Sequence, residues 1–195
     1  MGTTAPSPII TPDDLLRMRD GERHLELIRG QVRERAKGVR AALVSGEFQS
    51  ILHSYTDPRG DWQFGWTLGY HCFPGEPNTV RRASVTVIKA GRLSREKYAA
   101  NDPFSDIVPD VVIEVVGFED KARDLEESLG AWLAAGVKLL WEVYPTTHTV
   151  RVHQADGTIT FLKAADTLTA PDVLPGFACP VADLFRLPGD PAPAG

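Results

Sequence analysis

Two carboxylates in this chain occupy apolar settings, where an acid is seldom found without a partner. Glu114 lies within residues 111–116, Val-Val-Ile-Glu-Val-Val, a run preceded by Pro109-Asp110 and closed by Gly117. A continuous Val/Ile run between such breakers reads as a strand covered on both faces. An ionised carboxylate inside it is costly unless something compensates its charge. The compensator is a metal cation at a functional site, or a paired Arg or Lys at a structural one, and the run alone leaves both open. The second acid is Glu26, in His-Leu-Glu-Leu-Ile-Arg-Gly-Gln-Val, residues 24–32. Strand alternation puts it on one face with His24 and Ile28, with Leu25 and Leu27 on the other. Taken alone, it reads as an edge-strand charge. A third acid, Glu47, lies beside the apolar stripe of a helix.

The elements that must position these acids follow in chain order. Thr11-Pro12-Asp13-Asp14 starts a short helix, with a capping Thr, Pro in the first turn and acids that complement the dipole. Arg29-Gly30 turns a hairpin. Residues 38–55 form a helix whose stripe is Ala41, Val44, Phe48, Ile51 and Tyr55. Trp62, Phe64, Trp66, Leu68 and Tyr70 alternate without a break, so residues 61–73 read as one strand with a buried face. Another strand follows at 79–88, with Val85 and Val87 on one face and Ser84, Thr86 and Ile88 on the other. Residues 91–106 read as a short helix and loop. After the strand that carries Glu114, residues 119–135 form a helix buried along Leu125, Leu129, Trp132 and Leu133, with Gly136 as its stop. Residues 137–144 are a strongly apolar strand. Strand, helix, strand in this order is a crossover and implies parallel pairing. A hairpin turns at Ala155-Asp156-Gly157, and a short helical segment is expected at 181–185.

The expected fold class is therefore α/β, a mixed sheet flanked by helices with a C-terminal hairpin extension. With 195 residues, 43% hydrophobic and 24% charged, the expectation is one domain over residues 11–186, between a flexible lead at 1–10 and a Pro-rich tail at 187–195. No run approaches membrane-spanning length, and no signal peptide is visible, so the chain reads as cytoplasmic without a membrane partner. Cys72 and Cys179 match no metal-ligand spacing and read as free thiols. The formal net charge of −5 does not favour a nucleic-acid partner, though a site that collects carboxylates for a metal makes its own surroundings acidic. The densest basic region, Arg81, Arg82, Lys89, Arg92, Arg95 and Lys97, reads as a solvated rim.

Five segments together resemble one family. They are Leu-Glu-Leu-Ile-Arg-Gly-Gln-Val at 25–32, Val-Arg-Arg-Ala-Ser-Val at 80–85, Pro-Asp-Val-Val-Ile-Glu-Val at 109–115, Ala-Ala-Gly-Val-Lys-Leu-Leu-Trp at 134–141, and Leu-Pro-Gly-Phe at 174–177 with Leu184-Phe185. In order and spacing they resemble the Uma2 family, formerly DUF820, of the restriction-endonuclease-like PD-(D/E)xK superfamily. The resemblance implies a nucleic-acid partner, phosphodiester cleavage assisted by Mg²⁺ or Mn²⁺, and a homodimer. It implies a metal set of Glu26, Ser84, Glu114 and Val115, and a catalytic set of Glu26, Ser84, Glu114, Lys121 and Ser128. The family aspartate falls on Ser84, and the family lysine on Ser128. Serine is a weak ligand for a hard cation, and losing the lysine removes a fixed positive charge from the transition state. The resemblance thus implies a degenerate site, with the metal weakly bound or absent and catalysis impaired. Lys121 could return to the vacant lysine position. Pro109-Asp110 with Glu119-Asp120-Lys121 also matches the bare PD…ExK pattern. Two alternatives stand beside this reading. One is an active, divergent nuclease that recruits Asp110 or Glu47 and Lys121. The other is a protein-interaction module that uses the aromatic strand at 61–73.

Overall fold

The computed structural model describes residues 8–18, 25–35, 37–56, 60, 62–65, 68–100, 103–187 and 189–190. Helix α1 (Pro12–Arg17) opens on a capping box: the Thr11 hydroxyl accepts from the Asp14 N–H, and the Asp14 carboxylate accepts from the Thr11 N–H. Strands β1 (Leu25–Ile28) and β2 (Gln31–Glu34) pair antiparallel about Arg29 and Gly30, both at positive φ. Leu27 exchanges backbone hydrogen bonds with Val80, which ties this hairpin to the strand pair that follows. Helix α2 (Val39–Thr56) buries Ala41, Val44 and Phe48 of the expected stripe and Leu52 besides, while Ile51 and Tyr55 are partly buried against the same core.

The single strand expected over residues 61–73 is instead divided. The described part forms β3 (Trp62–Gly65) and β4 (Gly69–Tyr70), which belong to different sheets, and residues 61, 66 and 67 lie outside the described residues. Glycine at 65 makes room for two side chains that meet across the ladder. A Cβ at Gly65 would stand 2.7 Å from Thr86 Oγ1 and 2.9 Å from the Tyr70 hydroxyl, and those two groups are themselves hydrogen-bonded at 2.5 Å. The two pieces keep one register against residues 81–89, with Gly65 opposite Thr86 and Gly69 opposite Arg82, and the Tyr70 side chain reaches back along the ladder to Thr86.

Then come β5 (Arg81–Arg82), β6 (Val85–Lys89), α3 (Arg95–Ala100), β7 (Phe104–Ser105) and β8 (Val111–Val115). Helix α4 (Ala122–Ala134) carries the chain over to β9 (Leu139–Tyr144), parallel to β8 as expected. The hairpin β10 (Thr149–Gln154) and β11 (Ile159–Leu162) extends the sheet, whose order is β11-β10-β9-β8-β6-β3. Strands β12 (Thr167–Thr169) and β13 (Ala178–Pro180) lead into a 3-10 turn, Val181–Phe185.

Helices cover both faces of the main sheet. On one, α2 and the C-terminal segment pack Phe48, Leu168, Leu174 and Phe177 against Val85, Val111, Ile113, Val115 and Trp141. On the other, α4 packs Trp132 and Leu129 against Val112, Leu140, Ile88 and Tyr70. Alternation along β8 therefore sends Val111, Ile113 and Val115 to the α2 side, and Val112 and Glu114 to the α4 side. Among the described residues, no helix is long and apolar enough to cross a membrane.

Candidate active site

Glu114 is fully buried on the face that α4 covers. One of its oxygens accepts from the Trp132 indole N–H at 3.2 Å, and the other from the Arg35 guanidinium. Arg35 also reaches Glu26, at 3.4 Å from Oε1. The two acids separated in sequence therefore do converge, and an arginine joins them. The same Glu26 oxygen also accepts from the Arg82 backbone N–H at 2.6 Å. That contact follows from the topology, because pairing Leu27 to Val80 sets β1 beside β5.

Arg35 arrives on the segment that leaves β2 and crosses the carboxyl end of β8 before α2 begins. Lys37 follows on the same segment. Its ammonium donates to the Val115 carbonyl and to Asp120, 3.3 Å away. Asp120 also accepts from the Gly117 N–H at 2.7 Å, which fixes the loop after β8. In an α/β sheet, the carboxyl end of a parallel strand is where ligand sites commonly form. In this chain, two cations of its own reach that position.

The electrostatics follow from burial. Burial pulls the Arg35 guanidinium down, but the charges of Glu114 and Glu26 outweigh it and hold its pKa above the ordinary value. Glu26 is pushed above the ordinary carboxylate value by burial, against the pull of Arg35 and the Arg82 N–H. Lys37 is lowered by burial and by the charge of Arg35, against Glu114 and Asp120. Burial would raise Asp120, but Lys37 and the Gly117 N–H hold it below the usual range.

The other expected residues are distributed as follows. Ser84 lies opposite Glu114 in register, and its hydroxyl accepts from the Val115 N–H at 3.0 Å, extending the strand ladder. Lys121 precedes the first turn of α4. With Glu26 and Ser128 it lines a cavity of about 280 Å³, together with Arg33, Arg35, Arg81 and Asp124. Ser128 is buried, and its hydroxyl has no hydrogen-bond partner. Asp110 lies at the opposite end of β8, bound by Arg92 at 2.7 Å, Lys138 at 2.8 Å and the Lys89 N–H at 2.9 Å. The length of the strand thus separates it from Glu119 and Lys121, and the bare PD…ExK pattern does not assemble into one site. Glu47 sits on α2, close enough to Cys179 to act on it electrostatically, on the other side of the sheet. The supposed basic rim is partly interior: Arg81 and Arg82 are buried. Reasoning from sequence missed Arg35 and Lys37. The signal available for them was the basic run Arg33-Glu34-Arg35-Ala36-Lys37, directly after the strand pair that carries Glu26.

Comparison with known proteins agrees with this arrangement of elements. The family model Uma2, described as "Putative restriction endonuclease", matches residues 12–182. The chain belongs to the Uma2 family. Among solved structures it is similar to a nuclease of DUF820 from Anabaena variabilis ATCC 29413, so named as "putative", with a TM-score of 0.73 and 20% identity over 90% of this chain and 97% of that one. At that identity the likeness shows the fold, a restriction-endonuclease-like mixed sheet flanked by helices. No curated protein matches the chain.

Metal dependence is usual among such folds, so the donor set of this Uma2 protein can be tested against a divalent ion. Magnesium takes hard oxygen ligands in octahedral geometry, carboxylates above all. Here the two carboxylates are bridged by Arg35, the Val115 carbonyl is covered by Lys37, and the third position is a serine that accepts from a backbone N–H. Among the described residues, no group of three or more His, Cys, Asp or Glu is placed to hold a metal. The residues do not fit a divalent ion in this arrangement.

Proposed function

We propose that this Uma2 protein binds nucleic acid through phosphate contacts without the metal-assisted cleavage that its family resemblance implies. The observation that carries the reading is Arg35, whose guanidinium joins Glu26 and Glu114. A guanidinium supplies the positive charge that two buried acids require, in a planar fork that suits carboxylates. It supplies neither an activated water nor a Lewis acid, which are the metal's contributions to hydrolysis. The substitutions Ser84 and Ser128 agree with a site that has given up those contributions. Phe118, 99% exposed on the loop between β8 and α4, offers a ring on which a base can stack.

The test is a thermal melt with and without millimolar Mn²⁺, paired with fluorescence anisotropy on labelled single- and double-stranded DNA and RNA. The reading expects no Mn²⁺-dependent shift, together with binding that weakens as salt rises. A saturable upward shift in melting temperature that vanishes in Glu114→Gln would overturn it.

One observation favours a second reading, an active divergent nuclease. Lys37, with its lowered pKa, reaches the strand beside Glu114, so a lysine is present in space although the family position is Ser128. That reading requires Mn²⁺-dependent cleavage that disappears in both Lys37→Met and Glu114→Ala. Cleavage that survives either substitution removes it.

A further inference from the structure

The cavity beside Arg35 contains donors that no group among the described residues fills. Arg81 lines it with a side chain 3% exposed, its guanidinium carbon 5.8 Å from the centre of the Phe73 ring. Arg81 Nη2 stands 3.8 Å from Glu127, too far for a hydrogen bond, and both its Nε and Nη2 lack partners. Ser128 Oγ lines the same cavity and is likewise unpartnered. A buried donor left unmade is expensive, and native proteins keep few of them without a use. Burial lowers the Arg81 pKa, against the charges of Glu26, Glu127, Glu76 and Glu114.

The acids that line the cavity do not relieve these donors. Glu26 is taken by Arg35 and the Arg82 N–H, Asp120 by Lys37 and the Gly117 N–H, and Asp124 lies 3.6 Å from Arg33. Glu34 and Glu119 are exposed at the rim. The interior thus presents donors, and the rim presents negative charge. A single compact anion can satisfy the donors within. Three donor atoms are unfilled: Arg81 Nε, Arg81 Nη2 and Ser128 Oγ. A terminal phosphate brings three unesterified oxygens and nearly two negative charges at neutral pH, where an internal diester brings two oxygens and one charge.

We infer that this cavity is a binding site for a terminal phosphate, held by Arg81 and Ser128, with Lys121 adding charge at the wall. The phosphate is that of free inorganic phosphate or of a nucleic-acid end. The second source rests on the nucleic-acid reading above; the first does not.

The test uses the full chain in EDTA, so that no metal takes part. The probes are inorganic phosphate, a 5′-phosphorylated oligothymidylate and the same oligomer without the phosphate. The variants are Ser128→Ala and Arg81→Lys, the latter keeping the charge but losing the fork. A terminal-phosphate site raises the melting temperature with inorganic phosphate, with the phosphorylated oligomer, or with both, and the responding probe identifies the source. The unphosphorylated oligomer binds at least about tenfold more weakly than the phosphorylated one, in keeping with lost charge-assisted hydrogen bonds. Ser128→Ala leaves the melting temperature of the free protein unchanged or raises it, yet loses about tenfold in phosphate affinity, a split that a purely structural serine would not give. The inference is overturned if neither phosphate probe binds, if the unphosphorylated oligomer binds as well as the phosphorylated one, or if both variants bind phosphate like the parent. Because Mn²⁺ is absent from every arm, these outcomes are separate from the metal test of the proposed function.

Discussion

The two ends of β8 each bury a carboxylate and each neutralise it with the chain's own cations, but they do so differently. At the amino end, Asp110 has two separate cations, Arg92 and Lys138, and the Lys89 N–H besides. Both cations reach in from the surface, with side chains 39% and 62% exposed. At the carboxyl end, one arginine, 15% exposed, serves both Glu114 and Glu26. The amino end is redundant and closed, which is how a structural ion pair looks. The carboxyl end shares one guanidinium between two acids, with a single N–H donor to each besides, and adjoins a cavity with unfilled donors. The difference teaches that a buried acid alone does not mark a site; the supply of compensating charge and the space beside it do.

The largest expected effect comes from removing the shared cation. Arg35→Ala leaves Glu114 with the Trp132 N–H and Glu26 with the Arg82 N–H but removes the cation they share, and should cost about 3–5 kcal/mol in chemical denaturation, the range for breaking a buried pair. Arg92→Ala leaves Asp110 with Lys138 and an N–H, and should cost about 1 kcal/mol or less, as for a partly exposed pair. Equal losses would erase the contrast between the two ends.

A double-mutant cycle sharpens the same point. Arg35 and Glu114 should couple by about 1–3 kcal/mol, within the range for residues that share a buried network. Coupling near zero would mean that Arg35 acts on Glu26 alone.

The pH dependence separates the ends by sign. Burial raises Asp110, but Lys138, the Lys89 N–H and Arg92 outweigh it, and its pKa lies below the ordinary 3.8. The stability this contributes is present above 3.8 and is lost as pH falls through the lowered folded value. Glu26 shows the reverse. Its folded pKa lies above 4.5, so its contribution is full below 4.5 and is lost as pH rises through the folded value. Denaturation followed across acid pH should therefore show Asp110→Asn flattening the acid loss, and Glu26→Gln flattening a decline on the neutral side. The same response from both variants would contradict the assignment.

The smallest effect is expected at Phe118. Because its ring is almost wholly exposed, Phe118→Ala should change stability by no more than about 0.5 kcal/mol while weakening single-stranded nucleic-acid binding several-fold by anisotropy. A large stability loss would show that the ring packs in the folded protein.

Much of the fold was legible because its signals are local. The Thr11 cap, the Arg29-Gly30 turn, the stripes of α2 and α4 and the Val/Ile run of β8 are each specified within a few residues, and the structure forms them. The division of residues 61–73 between two sheets was hidden because the alternation, like the pairing register, runs on past Gly65, whose lack of a side chain leaves room for the contact between Tyr70 and Thr86. At the site, the convergence of Glu26 and Glu114 was legible from face alternation and the family motifs. Their partner was not, since Arg35 and Lys37 lie on a connecting segment without period, and its path is set by tertiary pairing of Leu27 with Val80. Likewise, Arg81 and Arg82 look like surface charge in sequence. They become interior only once the β1–β2 hairpin and α4 close over them.

The central claim is that Arg35 does the charge compensation that a divalent ion performs in nucleases of this fold. A crystal grown in Mn²⁺ and measured at the manganese edge tests it directly. The account predicts guanidinium density between Glu26 and Glu114 and no anomalous peak there. An anomalous peak bound by both carboxylates, with Arg35 swung away into solvent, would contradict it.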